Sequence, residues 1–250
     1  MTATTEREKT RIETSPKRVR AYLGGAAVAD STSTALVWEF PHYPTYYFPA
    51  GDIRAELVPT GRTEETKGIG AAELYDVVSG GKTAPGAARR HPAVADERLH
   101  DLVKLDWNAM DDWFEEDELV YVHARNPYSR VDILGSSRHI EVKVDGVTVA
   151  DSRQPRILFE TGLPTRYYLP LTDVRMDLLE PSDTSTACPY KGIAAYWSVQ
   201  AGGRSHKDLV WIYRTPLPES QKIAGMACFY NERVELYVDG VKQDRPSRLR

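Results

Sequence analysis

One short segment of the 250-residue chain, Thr186–Gly192, combines side chains that could take part in chemistry. Cys188 supplies a thiol, which becomes a nucleophile when a neighbouring cation favours its thiolate form. Lys191 is such a cation, and a lysine amine also binds carboxylates or phosphates, or forms a Schiff base when it is desolvated. Pro189 and Gly192 favour a sharp turn at this point. We therefore treat Cys188 and Lys191 as the candidate catalytic residues.

Aromatic side chains in the same half of the chain could form the walls of a pocket beside this loop. Tyrosine and tryptophan rings contact small planar or cationic ligands. The predicted ligand-binding residues are Tyr190, Tyr168, Arg166, Trp211 and Tyr213. We expect the pocket to lie between the sheets of the second copy of the fold.

Each of these residues also has a purely structural interpretation. A cysteine at the start of a turn is often a small buried side chain. Lys191 could serve only the geometry of the turn, and the aromatic residues could belong to the core. The sequence leaves these alternatives open, and it names neither a substrate nor a reaction.

An internal repeat shows how the chain is organised. Three pairs of similar segments share one separation of 121 residues: Gly25–Ser31 with Gly146–Ser152, Tyr46–Pro49 with Tyr167–Pro170, and Asp52–Arg54 with Asp173–Arg175. Further along, Lys67-Gly68 matches Lys191-Gly192 at a separation of 124. We infer two tandem copies of one fold, with the Cys-Pro-Tyr sequence present only in the second.

The pattern within each copy is typical of β-structure. Ile140–Val144 alternates apolar and polar residues, and Asp145-Gly146 follows as a hairpin turn. Similar strands separated by Gly, Pro and Asp turns predict a mainly β fold of antiparallel sheets. The predicted organisation is a tail at 1–17, a first module at 18–135, a second module at 136–242 and a tail at 243–250.

Two segments of the first copy are the best candidates for helices, Val94–Leu105 and Trp107–Asp117. In the second, Met110, Trp113 and Phe114 have the spacing of one helical face. Carboxylates surround them, so an acidic helix over 107–118 is an alternative functional feature, used to dock a protein partner. A solvated helix face over an aromatic anchor explains the same charges.

Several motifs together resemble a known family. They are Tyr167–Pro170 with Asp173-Val174, Thr186–Gly192, Tyr196–Val199, Leu209–Tyr213, Ile223–Gly225 with Phe229-Tyr230, Trp107–Asp111 and Pro127–Asp132. This set resembles the domain of unknown function 427 family, sometimes labelled nucleotidyltransferase-like, in the tandem form found in actinobacteria. The resemblance covers nearly the whole chain.

The resemblance implies a compact all-β module, similar to the β-tent group in which two antiparallel sheets meet at an angle. Many members of that group hold their sheets together with a four-cysteine zinc site, which this chain cannot form because Cys188 and Cys228 are its only cysteines. Nucleotidyl transfer needs metal-binding carboxylates and usually a glycine-rich phosphate loop. The glycine pairs Gly24-Gly25, Gly80-Gly81 and Gly202-Gly203 do not open such a loop.

Composition narrows the class of protein. Apolar residues make up 41% and charged residues 27% of the chain, which is enough to bury a core. A formal net charge of −4 argues against nucleic acid as a partner. No apolar run suits a membrane span or a signal peptide, so we expect a cytoplasmic protein. We predict a small-molecule ligand, no cofactor, no metal and, as an option through edge strands, a homodimer.

Overall fold

Alternation of buried and exposed side chains organises most of the chain into strands. The computed structural model describes residues 10–246 and divides the chain into two units, Met1–Asn126 and Pro127–Arg250. Within the described residues, each unit has one seven-stranded and one four-stranded sheet. The prediction of a mainly β fold with two tandem modules is confirmed.

The strands of the first unit are β1 (Ile12–Thr14), β2 (Val19–Leu23), β3 (Ala26–Ser31), β4 (Ala35–Val37), β5 (Thr45–Pro49), β6 (Glu56–Thr66), β7 (Gly70–Ser79), β8 (Lys82–Arg90), β9 (Leu102–Leu105), β10 (Asp112–Glu115) and β11 (Glu118–Leu119). Its 3-10 turns are Ala50–Asp52, Glu97–Leu99 and Trp107–Ala109. The large sheet has the order β1-β4-β5-β9-β8-β7-β6, and the small sheet has the order β11-β10-β2-β3.

The strands of the second unit are β12 (Val131–Gly135), β13 (Ile140–Val144), β14 (Val147–Ser152), β15 (Arg156–Glu160), β16 (Arg166–Leu169), β17 (Leu179–Cys188), β18 (Gly192–Ala201), β19 (Arg204–Tyr213), β20 (Ala227–Phe229), β21 (Glu235–Val238) and β22 (Val241–Lys242). Its 3-10 turns are Leu171–Asp173, Met176–Leu178 and Pro218–Ile223. The large sheet has the order β12-β15-β16-β20-β19-β18-β17, and the small sheet has the order β14-β13-β21-β22.

Hairpin turns of matching type connect the first strands of both small sheets. Gly24 and Gly25 have φ angles of 62° and 76°, and Asp145 and Gly146 have φ angles of 47° and 76°. Two consecutive positive φ values are the requirement of the tight hairpin turn that suits the twist of antiparallel strands. The Asp145-Gly146 hairpin predicted from the sequence is confirmed by the pairing of β13 with β14.

The hydrophobic core of each unit lies between its two sheets. In the second unit, Val142 and Leu236 of the small sheet pack in one cluster with Trp197, Val199 and residues of neighbouring strands of the large sheet. Because side chains alternate along a strand, Tyr196 lies on the opposite face, in a separate aromatic cluster. We call that side of each large sheet, away from the small sheet, the outer face.

The helices predicted over Val94–Leu105 and Trp107–Asp117 are wrong, and with them the acidic docking helix at 107–118. Trp107–Ala109 is a single 3-10 turn, and Asp112–Glu115 pairs with β2 as a strand. The rings of Trp107 and Trp113 stack at 4.6 Å, and the indole N–H of Trp113 donates to the carbonyl of Trp107. The spacing taken for a helical face therefore comes from a turn followed by strand alternation.

The module limits also differ from the sequence-based ones. Residues 131–135 pair with β15, which places them in the second unit rather than at the end of the first. Ile12–Thr14 lies in the predicted tail at 1–17 but pairs with β4 as an edge strand. Residues 1–9 of that tail, and 247–250 of the tail predicted at 243–250, lie outside the described residues.

Within residues 10–246, no helix has the length and apolar character needed to cross a membrane.

Candidate functional site

The outer face of the large sheet in the second unit brings most of the predicted site residues together. Strand register places Trp211 opposite both Tyr196 and Cys228, and Tyr168 opposite Cys228. These four side chains form one row across β16, β20, β19 and β18, and all are buried. Tyr213 belongs to the same cluster. The sequence motifs therefore converge on one face of one sheet.

Lys191 is buried at one end of this face in an ion pair. Its amine donates to the carboxylate of Glu160 at 2.5 Å, and the two side chains are 10% and 6% exposed. Glu160 ends β15, whereas Lys191 lies in the turn between β17 and β18, so the pair joins distant parts of the sheet. Both side chains are almost fully buried, so the lysine amine makes a structural contact.

The turn that carries Lys191 is held by the segment that follows β19. The hydroxyl of Ser220 donates to the carbonyl of Tyr190 at 3.1 Å, and the amide of Leu217 donates to the carbonyl of Lys191 at 3.2 Å. Cys188 closes the hairpin opposite Gly192, whose φ of 90° explains why glycine stands there. Cys188 is half-buried and Cys228 is fully buried.

A second ion pair supports the centre of the outer face. The Arg166 guanidinium donates to both carboxylate oxygens of Glu232, at 2.8 and 2.7 Å. The same guanidinium lies 5.4 Å from the ring of Trp211, a cation–π distance. A bidentate pair of this kind fixes a carboxylate in one orientation. Arg166 thus sets the position of Glu232.

The aromatic side chains around Trp211 are linked by contacts and hydrogen bonds. The Trp211 indole N–H donates to the hydroxyl of Tyr168 at 3.1 Å, and the ring of Tyr230 lies 4.6 Å from that of Trp211. The hydroxyl of Tyr196 is within hydrogen-bond distance of Thr186 Oγ1 and of the Tyr230 hydroxyl, at 2.9 and 3.2 Å. Burial raises the pKa of Tyr230, so its phenol stays protonated at neutral pH.

A pocket of about 390 Å³ opens on this face of the second unit. Hydroxyl groups, carboxylates and one guanidinium surround it. Its lining residues are Thr184, Thr186, Tyr196, Asp208, Tyr230, Glu232 and Arg233.

Asp208 is presented to the pocket by a strained bulge. Its φ is 51°, at the point where the register between β18 and β19 shifts. Its carboxylate accepts hydrogen bonds from the hydroxyls of Ser182 and Thr184, at 2.5 and 2.8 Å. The hydrogen bond from Ser182 is the main reason that the pKa of Asp208 lies below its usual range.

The first unit has the same bulge but a different residue in it. Gly86, 122 residues before Asp208, has a φ of 61°, and the register between β7 and β8 shifts there too. Glycine adopts this conformation without strain, whereas aspartate does so at some cost. The second unit therefore has a carboxylate at a bulge position that glycine fills in the first unit.

None of the seven predicted site residues is among those that line this pocket. Arg166 and Trp211 contact the lining residues Glu232 and Tyr230, and Tyr168 contacts Trp211. The space between the two sheets, where we expected the pocket, is filled by the core. Four of the lining residues were missed because they are small or charged, and Tyr196 and Tyr230 were noted only within the family motifs. The alternate spacing of Ser182, Thr184 and Thr186 along β17 was a usable signal.

The comparison of the two hairpin turns corrects one match between the copies. Thr66 pairs with Gly70 as Cys188 pairs with Gly192, so equivalent positions there are 122 residues apart. Ile69, not Lys67, occupies the position of Lys191. What the two units share is a buried glutamate at the same position of the repeat. Glu39 lies 121 residues before Glu160 and accepts a hydrogen bond from the Lys104 amine at 2.7 Å. The side chains of Glu39 and Lys104 are 6% and 18% exposed.

The part of the chain that the structure describes contains no candidate metal-binding site. Residues 10–246 contain no group of three or more His, Cys, Asp or Glu side chains arranged to hold a metal ion. Asp111, Asp112 and Glu116–Glu118 lie on β10, β11 and their connecting turns. The carboxylate of Asp111 accepts hydrogen bonds from the Lys82 amine and from the backbone amide of Gly24.

The fold and the repeated outer face define a class of protein made of two tandem antiparallel β modules. Within it, the chain belongs to the family described as Domain of unknown function (DUF427), which matches residues 11–116 and 132–240. Each match falls within one unit. The predicted family in its two-copy form is confirmed. No curated protein matches the chain significantly.

Proposed function

We propose that the second unit is a small-molecule binding module and that its ligand occupies the pocket lined by Thr184, Tyr196, Asp208, Tyr230 and Glu232. The observation that carries the proposal is the carboxylate of Asp208, held at a left-handed bulge that glycine fills in the first unit. Residues with strained backbone conformations persist where the surrounding structure enforces them, and they cluster at binding sites.

The chemistry of the lining defines the ligand class. Thr184, Tyr196 and Tyr230 offer hydroxyls that both donate and accept, while Asp208 and Glu232 offer acceptors. Arg166 compensates the charge of Glu232, and the Arg233 guanidinium donates to the backbone carbonyls of Lys207 and Asp208. The ligand that fits is a small neutral or singly cationic molecule rich in hydroxyl or amine groups.

Preorganisation supports binding at this place. Both oxygens of Glu232 and both oxygens of Asp208 already hold protein donors, so the carboxylates keep their positions without a ligand. A rigid site loses less side-chain entropy when a ligand binds. The pocket volume of about 390 Å³ lies at the lower end of the range for small-molecule sites.

A thermal-shift screen tests the proposal. The wild-type chain is scanned with sugars, polyols and amino alcohols, and with acids of the same size as a contrast set. We expect stabilisation by members of the first set that Asp208→Asn and Tyr230→Phe abolish. Asp183→Asn, the same carboxylate-to-amide change on β17 at a residue that does not line the pocket, should leave this stabilisation intact. The proposal fails if no compound of the first set stabilises the protein, or if both pocket variants respond as the wild type does.

A further inference from the structure

The first unit has a pocket of its own at the equivalent place, with different chemistry. It measures about 400 Å³, and Thr45, Arg89 and Lys104 contribute to its lining. Strand register puts Arg89 opposite Lys104, and Lys104 opposite Tyr47, as Trp211 is opposite Cys228 and Cys228 opposite Tyr168. This first-unit pocket therefore opens on the outer face, where the second unit has its aromatic row, and the core side chains Tyr46 and Trp113 also line it.

The charges on the floor of the first-unit pocket are already compensated. Glu39 accepts from the Lys104 amine at 2.7 Å and from the Tyr47 hydroxyl at 3.0 Å. Arg89 donates to Glu64 at 3.0 Å. A ligand that needed Arg89 or Lys104 for its own negative charge would have to break these pairs.

The remaining charged groups of the lining are mostly negative. Glu65 and Asp106 line the pocket, and neither is in an ion pair within residues 10–246, while Lys67 is the one basic residue left after the two floor pairs. Asp106 accepts from the amide of Asn108, which fixes its side chain at the start of a turn. The balance of these charges favours a cation over an anion.

An aromatic wall stands beside these carboxylates. The rings of Tyr43 and His123 stack at 3.9 Å with an interplanar angle of 16°, and the ring of Phe40 lies 6.0 Å from Tyr43. Phe40 is 50% exposed, so its ring is accessible from the cavity. Burial lowers the pKa of His123, so the stack is uncharged at neutral pH and does not repel a cation.

Backbone strain marks the same wall. Val122, which lines the pocket, is exposed and has a φ of 68°. A β-branched residue in the left-handed region is a true conformational outlier, since its side chain crowds the backbone there. This backbone conformation leaves the Val122 side chain exposed at the rim of the pocket, next to His123.

We propose that the first-unit pocket is a second binding site, which takes a planar aromatic molecule carrying a positive charge, such as an aryl amidine or aryl ammonium ion. The ring stacks on the wall formed by Phe40, Tyr43 and His123. The cationic group lies toward Asp106 and Glu65. Flat rings stack offset on aromatic side chains, and cations are attracted to their faces. This site is independent of the pocket proposed for the second unit.

Benzamidine is the probe, with benzoate and benzyl alcohol as anionic and neutral compounds of the same shape. Dissociation constants are measured by ligand-observed NMR on the full chain. We expect benzamidine to bind about tenfold more tightly than benzoate, because the uncompensated lining charges are mostly acidic. Phe40→Ala and Asp106→Asn should each weaken benzamidine binding about threefold, the scale of one exposed cation–π or ion-pair contact.

The controls separate this site from other surfaces. Phe159→Ala removes a similarly exposed phenylalanine from the second unit, and Asp208→Asn alters the second-unit pocket. Neither should change benzamidine binding, whatever the second pocket binds. Asparagine still caps the turn at position 106, so that variant keeps its fold. Equal binding of benzamidine and benzoate, no binding at all, or binding insensitive to both pocket variants would overturn the proposal.

Discussion

The amine of Lys191 lies 2.5 Å from the carboxylate of Glu160, and both side chains are almost fully buried. The first unit buries a lysine–glutamate pair at the same carboxylate position, but there the lysine is Lys104, which occupies the register position of Cys228. The two copies thus keep the buried acid at one position and supply its cation from different elements, strand β9 in the first unit and the β17–β18 turn in the second.

The buried pair predicts a large stability effect from removal of one partner. Lys191→Met leaves the Glu160 carboxylate uncompensated, which should lower the free energy of unfolding by about 3 kcal/mol. The double variant Glu160→Leu with Lys191→Met removes both charges and should recover most of that loss. Urea unfolding followed by circular dichroism measures both.

A matched control exists for this prediction. Lys242 and Glu235 are also 2.5 Å apart, but the lysine side chain is 57% exposed. Lys242→Met should change the stability by less than about 1 kcal/mol, because exposed ion pairs contribute little. If Lys191→Met costs no more than Lys242→Met, Lys191 is not the buried partner that we describe.

The two cysteines should differ in reactivity. Burial raises the pKa of the Cys228 thiol, and its side chain has no access to solvent, whereas Cys188 is half-buried at the end of β17. Iodoacetamide at neutral pH should therefore label Cys188 in the native protein and Cys228 only after unfolding. Intact-mass spectrometry over time, with Cys188→Ser as the control, checks this; label on Cys228 in the native state would contradict the buried row of the outer face.

The stability contributed by Asp208 should depend on pH. Hydrogen bonds, chiefly that from Ser182, hold its pKa in the folded protein below the ordinary value of 3.8. A lowered folded pKa stabilises the fold at any pH above the unfolded value, and this contribution disappears as the pH falls through the folded pKa. The stability advantage of the wild type over Asp208→Asn should therefore be constant near neutrality and shrink below about pH 4. Chemical unfolding at several pH values measures it, and an advantage that does not change with pH would exclude the ionised carboxylate as its source.

The sequence predicts the architecture well because its signals are local. The repeat at 121 residues and the alternation in segments such as Ile140–Val144 correspond directly to the two units and their strands. Alternation also places Tyr168 and Trp211 on one face of the sheet. The helix predicted at Trp107–Asp117 failed because the spacing of Met110, Trp113 and Phe114 arises from a 3-10 turn followed by strand β10.

The site depends on contacts between distant residues, which local patterns do not show. The pairing of Lys191 with Glu160 requires the β17–β18 turn to reach the end of β15. The carboxylate of Asp208 reaches the pocket only because a bulge gives it a positive φ. Glu39 and Glu160 share the 121-residue separation of the repeat, but only the structure shows that each is a buried acid, and their lysine partners stand at unrelated positions.

The proposed function depends on Asp208 being part of a ligand site in the second unit. The most direct test is the dissociation constant of the best stabilising compound, measured by calorimetry on the wild type, Asp208→Asn and Asp183→Asn. Loss of a charged hydrogen-bond acceptor should weaken binding about tenfold or more in Asp208→Asn. Asp183→Asn should bind as the wild type does. Equal dissociation constants for all three proteins would contradict the assignment of this pocket as the binding site.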